Sequence, residues 1–225
     1  MTAVQLNTAG GITGGDHLMF AAQAEEQSHL RLTTQAAERI YRSVDGRPGT
    51  VETSLTVAAG ARLDWLPQET ILFDHSSLRR SMRVDLAHDA RLLMVEPLIF
   101  GRAAMGEVLT QMSLRDSWRI YRDNTLIFAD ALRFERDLNL QMKRPAIGDG
   151  AGAMMTALFA APANECEALL AQIRPMLSET AGASLLRPDL LVLRALAEDG
   201  FCLRRDMIPT LTLLNGAELP RTWMI

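Results

Sequence analysis

Lysine is almost absent from this chain: among 23 basic residues only Lys143 is one, and the others are arginine, whose planar fork suits protein interfaces. Only two cysteines occur, Cys166 and Cys202, and they form no C-x-x-C pair. That excludes a disulfide framework and a thiolate zinc site, and fits a reducing cytoplasm as the expected location. Aromatic residues make up 5%, too few for a platform that stacks bases or sugars. Twenty-seven acidic residues against 23 basic leave a net charge of −4, so no overall field draws in nucleic acid or an anionic membrane. The most apolar stretch, 151–163, falls short of the ~18 residues that suggest a membrane span. No basic head followed by an apolar run marks a secretory signal. The chain also lacks G-x-S-x-G, H-E-x-x-H and any His or Cys pair at metal-site spacing, which leaves a triad or metal-activated hydrolase without support.

What is present is alternation. With 225 residues, 48% of them hydrophobic, the chain has material for a sizeable core, expected in one domain spanning 1–225. Up to about 140 the pattern is mostly period two, and 1–162 is expected to be mainly β. Thr50 to Val57 places Val51, Thr53, Leu55 and Val57 on one face, and Ala61, Leu63 and Trp65 continue it. Further strands are expected at 18–23, 30–35, 78–86, 92–95 and 108–114, with a hairpin of 118–121 and 126–129 around Asp123-Asn124. Ala58-Ala59-Gly60-Ala61-Arg62-Leu63 and Ala87-His88-Asp89-Ala90-Arg91-Leu92 agree at four of six positions after alternating strands, a pattern of strand–turn units that stack. From 163 to 225 helix and strand mix. Asn164 with Glu167 reads as a capping pair before a helix carrying Leu169, Leu170, Ile173 and Leu177. Residues 188–199 suit either a strand or a helix, and 201–214 suit a second helix bent at Pro209 and stopped by Asn215-Gly216.

The stretch NTAGGITGGD, Asn7 to Asp16, has the glycine spacing of a phosphate loop. Asp16 stands where such a loop needs lysine, and G-x-G-x-x-G is not met either. Paired glycines remain as a backbone device that permits positive φ and close approach. Four carboxylates sit in apolar surroundings: Asp16, Glu69, Glu96 and Glu107. An unpaired buried charge is costly, so one reading makes them structural ion pairs, with Arg79, Arg80 and Arg102 as available partners. The other makes them the oxygen lining of a wet passage that handles a divalent ion without trapping it.

The chain resembles the urease accessory proteins called UreD or UreH. The shared blocks are NTAGGITGGD, TTQAAERIYRS (33–43), LDWLPQETILFD (63–74), EPLIFGRAAMGE (96–107), DSWRIYRDNTLIFADALRF (116–134) and PRTW (220–223), in that order. The resemblance implies a mainly β scaffold of stacked antiparallel and mixed sheets, β-helix-like, with about two helices in the C-terminal third, and it tips 190–197 toward strand. It implies a non-enzymatic chaperone that binds the urease apoprotein subunits, UreF and the GTPase UreG, with no nucleic acid or membrane partner. No tightly bound cofactor is implied, only transient Ni2+ in an internal tunnel, for which Asp16, Glu69, Glu96 and Glu107 are the candidate lining. The glycine run becomes a structural loop. Family members usually carry some tens of residues before the NTAGG block, which would supply early strands; either the start is misassigned, or this is a shortened form whose sheet has an unprotected edge. Two alternatives stay open: an assembly scaffold that never touches metal, and a β-rich hydrolase using Glu96 and Glu107 as an acid–base pair.

Overall fold

The computed structural model describes residues 1–224. The first part of the chain winds in coils. β1 (Thr2–Gln5) leads into β2 (His17–Ala24), β3 (His29–Thr34) and β4 (Glu38–Ile40). The second coil is β5 (Gly49–Val57), β6 (Arg62–Leu66) and β7 (Thr70–Leu72), and the third is β8 (Ser77–Leu86) and the long β9 (Arg91–Phe100). A hairpin follows, β10 (Met112–Arg122) and β11 (Thr125–Arg136). Equivalent strands of successive coils pair in parallel: β2, β5, β8 and β10 in one sheet, and β3, β6 and β9 in the other. The turns superimpose as well. Ser28 N donates to Glu25 O, Ala61 N to Ala58 O and Ala90 N to Ala87 O, each at 3.0–3.1 Å. Ala58 N then reaches back to Ala24 O at 3.0 Å, and Ala87 N to Val57 O at 2.9 Å. The internal repeat read from the sequence is therefore a stacked turn, with Arg62 and Leu63 directly in register with Arg91 and Leu92.

Two sheets result. The smaller runs β11-β10-β8-β5-β2. In the larger, β9 joins the coils to β12 (Ala153–Ala160), β14 (Leu190–Ala197) and β13 (Ala181–Arg187), which are antiparallel, in the order β1-β3-β6-β9-β12-β14-β13. β4 and β7 lie beside the far half of β9. Alternation turns one side of every strand into the space between the sheets: on β8, Leu78, Met82, Val84 and Leu86 point in, while Arg79, Ser81 and Arg83 point to solvent.

Two helices, α2 (Ala163–Ile173) and α3 (Gly200–Asn215), cover the outer face of the larger sheet. Cys166, Leu170, Ile173, Leu203, Met207 and Leu211 pack there on Met155, Phe159, Leu191 and Leu193. This placement explains why β12 reads only as an apolar run in the sequence: it is buried on both faces and has no polar side to alternate with. Residues 190–197 form the strand β14, and the Asp123-Asn124 turn has φ of 46° and 62°, as an I′ hairpin requires.

Several expectations change. Asn164 does not cap α2; the helix starts two residues earlier than such a cap implies, at Ala163 after Pro162, and makes no side-chain cap bond there. It ends at Ile173, where Pro175 can supply no helical N–H, although Leu177 still packs on the same core. The strand expected at 92–95 runs on through Pro97 to Phe100, and that expected from 108 begins at Met112. A short helix α1 (Leu138–Met142), capped by Asp137, was not expected.

The glycine run is a backbone loop packed on the next segment. At Gly11, φ is 154° and a Cβ would lie 2.4 Å from the Tyr41 ring; at Gly14 it would lie 2.3 Å from Ser43 Oγ. Leu63 is completely buried between the sheets, so Leu63→Ala is expected to cost about 2–5 kcal/mol in urea denaturation. Leu126→Ala, at a half-exposed hairpin position, is expected to cost under about 0.5 kcal/mol.

Candidate functional site

Between the sheets, two apolar clusters are separated by a polar tier. On β8, Arg80 interrupts the run between Leu78 and Met82; on β9, Glu96 stands between Met94 and Leu98; on β10, Asp116 stands between Leu114 and Trp118. Each lies on the inward side of its strand, so alternation forces all three into the interior. Register brings Asp116 directly beside Arg80, and Thr156 of β12 directly beside Glu96. Arg80 Nη1 donates to Glu96 Oε2 and Arg80 Nη2 to Asp116 Oδ2, both at 2.5 Å, and Trp65 Nε1 donates to Glu96 Oε1 at 2.7 Å. One guanidinium thus joins a carboxylate from each sheet. The tier continues outward through Arg194 Nη2, which donates to Asp130 Oδ2 at 2.6 Å.

The electrostatics follow from burial. Desolvation opposes the charge on Arg80, but Asp116 and Glu96 together outweigh it and push its pKa up. For Glu96 burial prevails: despite Arg80 and Trp65, loss of hydration and the nearby Asp116 hold its carboxyl above the ordinary range. Two buried atoms of the cluster, Arg80 Nε and Asp116 Oδ1, have no protein partner.

Arg80 and Glu96 also line two cavities. A cavity of about 70 Å³ carries Asp116, Asp130, Thr156 and Arg194 in its wall; another of about 210 Å³ carries Trp65, Gln68, Thr70 and Glu38, with Ile12 and Phe20. Both have room for water. The Arg80–Glu96 pair is the wall they share.

The four carboxylates singled out from the sequence lie in four different settings. Glu96 is in the tier. Glu69 is buried and faces Arg204 of α3, with Nη1 3.2 Å from its Oε1. Glu107 takes Arg102 Nε at 2.8 Å and Nη2 at 3.1 Å, together with the amides of Asp74 and Arg102. Asp16 accepts from the Thr13 amide at 2.9 Å and closes the glycine loop. Glu96 and Glu107 share no partner, so they present no common acid–base pair. Of the arginines named as available partners, Arg80 and Arg102 do pair, while Arg79 points to solvent. Among the described residues, no group of three or more His, Cys, Asp or Glu side chains is arranged to hold a metal. The sequence reading missed Asp116 and Arg204. Asp116 was detectable, since a charge at an inward position of an alternating strand needs a partner; nothing local pointed to Arg204.

Removing one partner of a buried charge cluster leaves the others uncompensated, so Arg80→Met is expected to cost about 3–5 kcal/mol in urea denaturation. The triple change Arg80→Met, Glu96→Leu, Asp116→Leu is expected to recover most of that loss; a triple variant no more stable than the single one would sink the triad as described. Acid acts differently on the two glutamates. Arg102 holds Glu107 below its ordinary 4.5, so its stabilisation is complete above pH 4.5 and is lost as pH falls through the lower folded value. Glu96, held above 4.5, destabilises when ionised, and that cost is relieved as pH falls. Glu107→Gln is therefore expected to flatten the fall in melting temperature below pH 4.5, compared with the unchanged chain.

Among the described residues no helix is long and apolar enough to cross a membrane. A family model described as "UreD urease accessory protein" matches residues 1–224. The chain is 51% identical, over all of its length and 87% of the relative's, to a "Urease accessory protein UreD" of Ruegeria pomeroyi. It is 44% identical to proteins of the same name from Roseobacter denitrificans and Rhizobium rhizogenes, over 99% of this chain and 81% of each relative. With a family model spanning the sheets, the tier and both covering helices, this chain belongs to the UreD urease accessory protein family, whose members are named as accessory proteins and not as enzymes.

Proposed function

We propose that the chain serves urease maturation as a scaffold that holds apo-urease together with UreF and UreG, and that nickel crosses the scaffold between its two sheets. The observation that carries this reading is the pair of cavities meeting at Arg80 and Glu96. In this reading nickel is cargo, released by GTP hydrolysis on UreG. Carboxylates and water are hard, exchangeable ligands, which suit passage better than a thiolate or imidazole cage that would keep the ion. Two carboxylates against one guanidinium give the triad an excess of acid in the wall the cavities share. Of the four carboxylates considered from the sequence, Glu96 is the one in the wall shared by both cavities. Asp16, Glu69 and Glu107 enter the proposal only as supports of the loop, of α3 and of the 102–107 segment.

A second reading, an assembly scaffold without metal contact, is favoured by the arginine partners of Glu69, Glu96 and Glu107. The two separate in cells with limiting nickel, by measuring urease activity, nickel content and pull-down of the complex. Under the passage reading, Glu96→Gln and Thr156→Phe, the second narrowing the smaller cavity without touching a charge, lower activation several-fold while the complex still assembles. Asp16→Asn, Glu69→Gln and Glu107→Gln have smaller effects. Full activation by both Glu96→Gln and Thr156→Phe would leave only the assembly role.

A further inference from the structure

The helices cover the outer face of the larger sheet, but the outer face of the smaller sheet lies open, and its register concentrates arginine. Arg79 of β8 is directly beside Arg115 of β10, which is directly beside Arg133 of β11. Four residues along the strands, Arg83 is beside Arg119. Between these rows lie Ser81, Ser117 and Ala131, three small residues in register. A groove of about 360 Å³ follows this line, with Arg79, Arg115 and Arg133 along one side, Ser81, Ser117 and Ala131 as its floor, and Thr50 and Glu52 of β5 at one end.

Neighbouring strands are about 4.8 Å apart, so a row of three guanidiniums across them places like charges side by side, which is unfavourable. The face holds too few acids to neutralise it: Arg79, Arg83, Arg115, Arg119 and Arg133 stand against Glu52, Asp85 and Glu135. Glu135 is shared, 2.8 Å from Arg133 and 3.0 Å from Arg115, and these two hold its carboxyl down to about 2. Arg83 is bound to Asp85, and Glu52 pairs with His17. Arg79 has no carboxylate within ion-pair reach among the described residues. On a chain of net charge −4 the excess is local.

We infer that this face is a docking surface for an acidic protein segment, whose carboxylates would lie along the Ser81–Ser117–Ala131 groove against the Arg79–Arg115–Arg133 row. Charge complementarity selects the partner. Guanidinium forks bind carboxylates bidentately. Nucleic acid fits less well, because acids are interspersed among the arginines and Tyr121, the aromatic ring on this face, lies 4.3 Å beneath Arg83 and offers no open platform. Arg80 and Asp116 of the tier back this groove, but the three arginines that are tested stand outside the tier, so the inference does not rest on nickel passage.

The test uses the full chain and a fluorescein-labelled decaglutamate peptide, read by fluorescence anisotropy at low and at raised salt. The chain is expected to bind the peptide, more weakly as salt rises, and the triple variant Arg79→Glu, Arg115→Glu, Arg133→Glu to bind about tenfold or more weaker, as expected for paired charges. Arg174→Glu, an exposed change beside α2, is expected to bind as the parent does. The neutral triple variant with glutamine at 79, 115 and 133 gives the same comparison if charge reversal disturbs folding, which circular dichroism reports. Equal binding by the parent and both triple variants, or no binding by the parent, overturns the inference. Tighter binding of a single-stranded oligonucleotide of equal charge also overturns it, and assigns the face to nucleic acid.

Discussion

Arg80 is a buried cation that two sheets must agree on. Its partners come from different layers, Glu96 from the larger sheet and Asp116 from the smaller, and the hydrogen bonds that satisfy one guanidinium fix how the layers sit. An isolated charge in that position would be intolerable; two carboxylates, one of them held by an indole N–H, make it tenable. A price in stability remains, visible in the upward shift of Glu96 and in two unpartnered polar atoms. A sandwich filled only with leucine would pack without such a tier. The tier instead divides the core into two apolar blocks and leaves cavities where they part.

The coil architecture makes that tier possible. Parallel pairing of successive coils keeps equivalent positions in line, so a polar residue at one level of β8 meets a polar residue at the same level of β10. The same rule acts on the outside. On the smaller sheet, residues one position away from the tier project to solvent, and the alignment that collects Asp116 and Arg80 within collects Arg79, Arg115 and Arg133 without. Inner conduit and outer dock would thus be two sides of one register. The C-terminal helices complete the asymmetry by covering one sheet and leaving the other open.

Much of this was legible in the sequence, and the rest was not for identifiable reasons. Alternation marked the exposed-edged strands, the turn repeat marked the coil, and Asp123-Asn124 marked the hairpin. β12 escaped because burial on both faces erases the period. The Asn164–Glu167 pair points to α2, but the helix starts after Pro162, with Asn164 already inside it. Glu96 was singled out from its apolar neighbours, yet Asp116 lay on a strand whose outward charges masked the inward one. The pairing of Glu69 with Arg204, 135 positions later, is a consequence of α3 folding back and has no local signal.

If nickel crosses between the sheets, the tier must be wet and open to a divalent cation. Anomalous diffraction at the nickel edge, from crystals of the chain assembled with its urease complex and supplied with nickel, addresses this directly. A nickel peak is expected between the two cavities, within ligand distance of Glu96 or Asp116 and with ordered water beside it. A dry tier with Arg80 still closed on both carboxylates, and nickel bound only at outer surfaces, would contradict it.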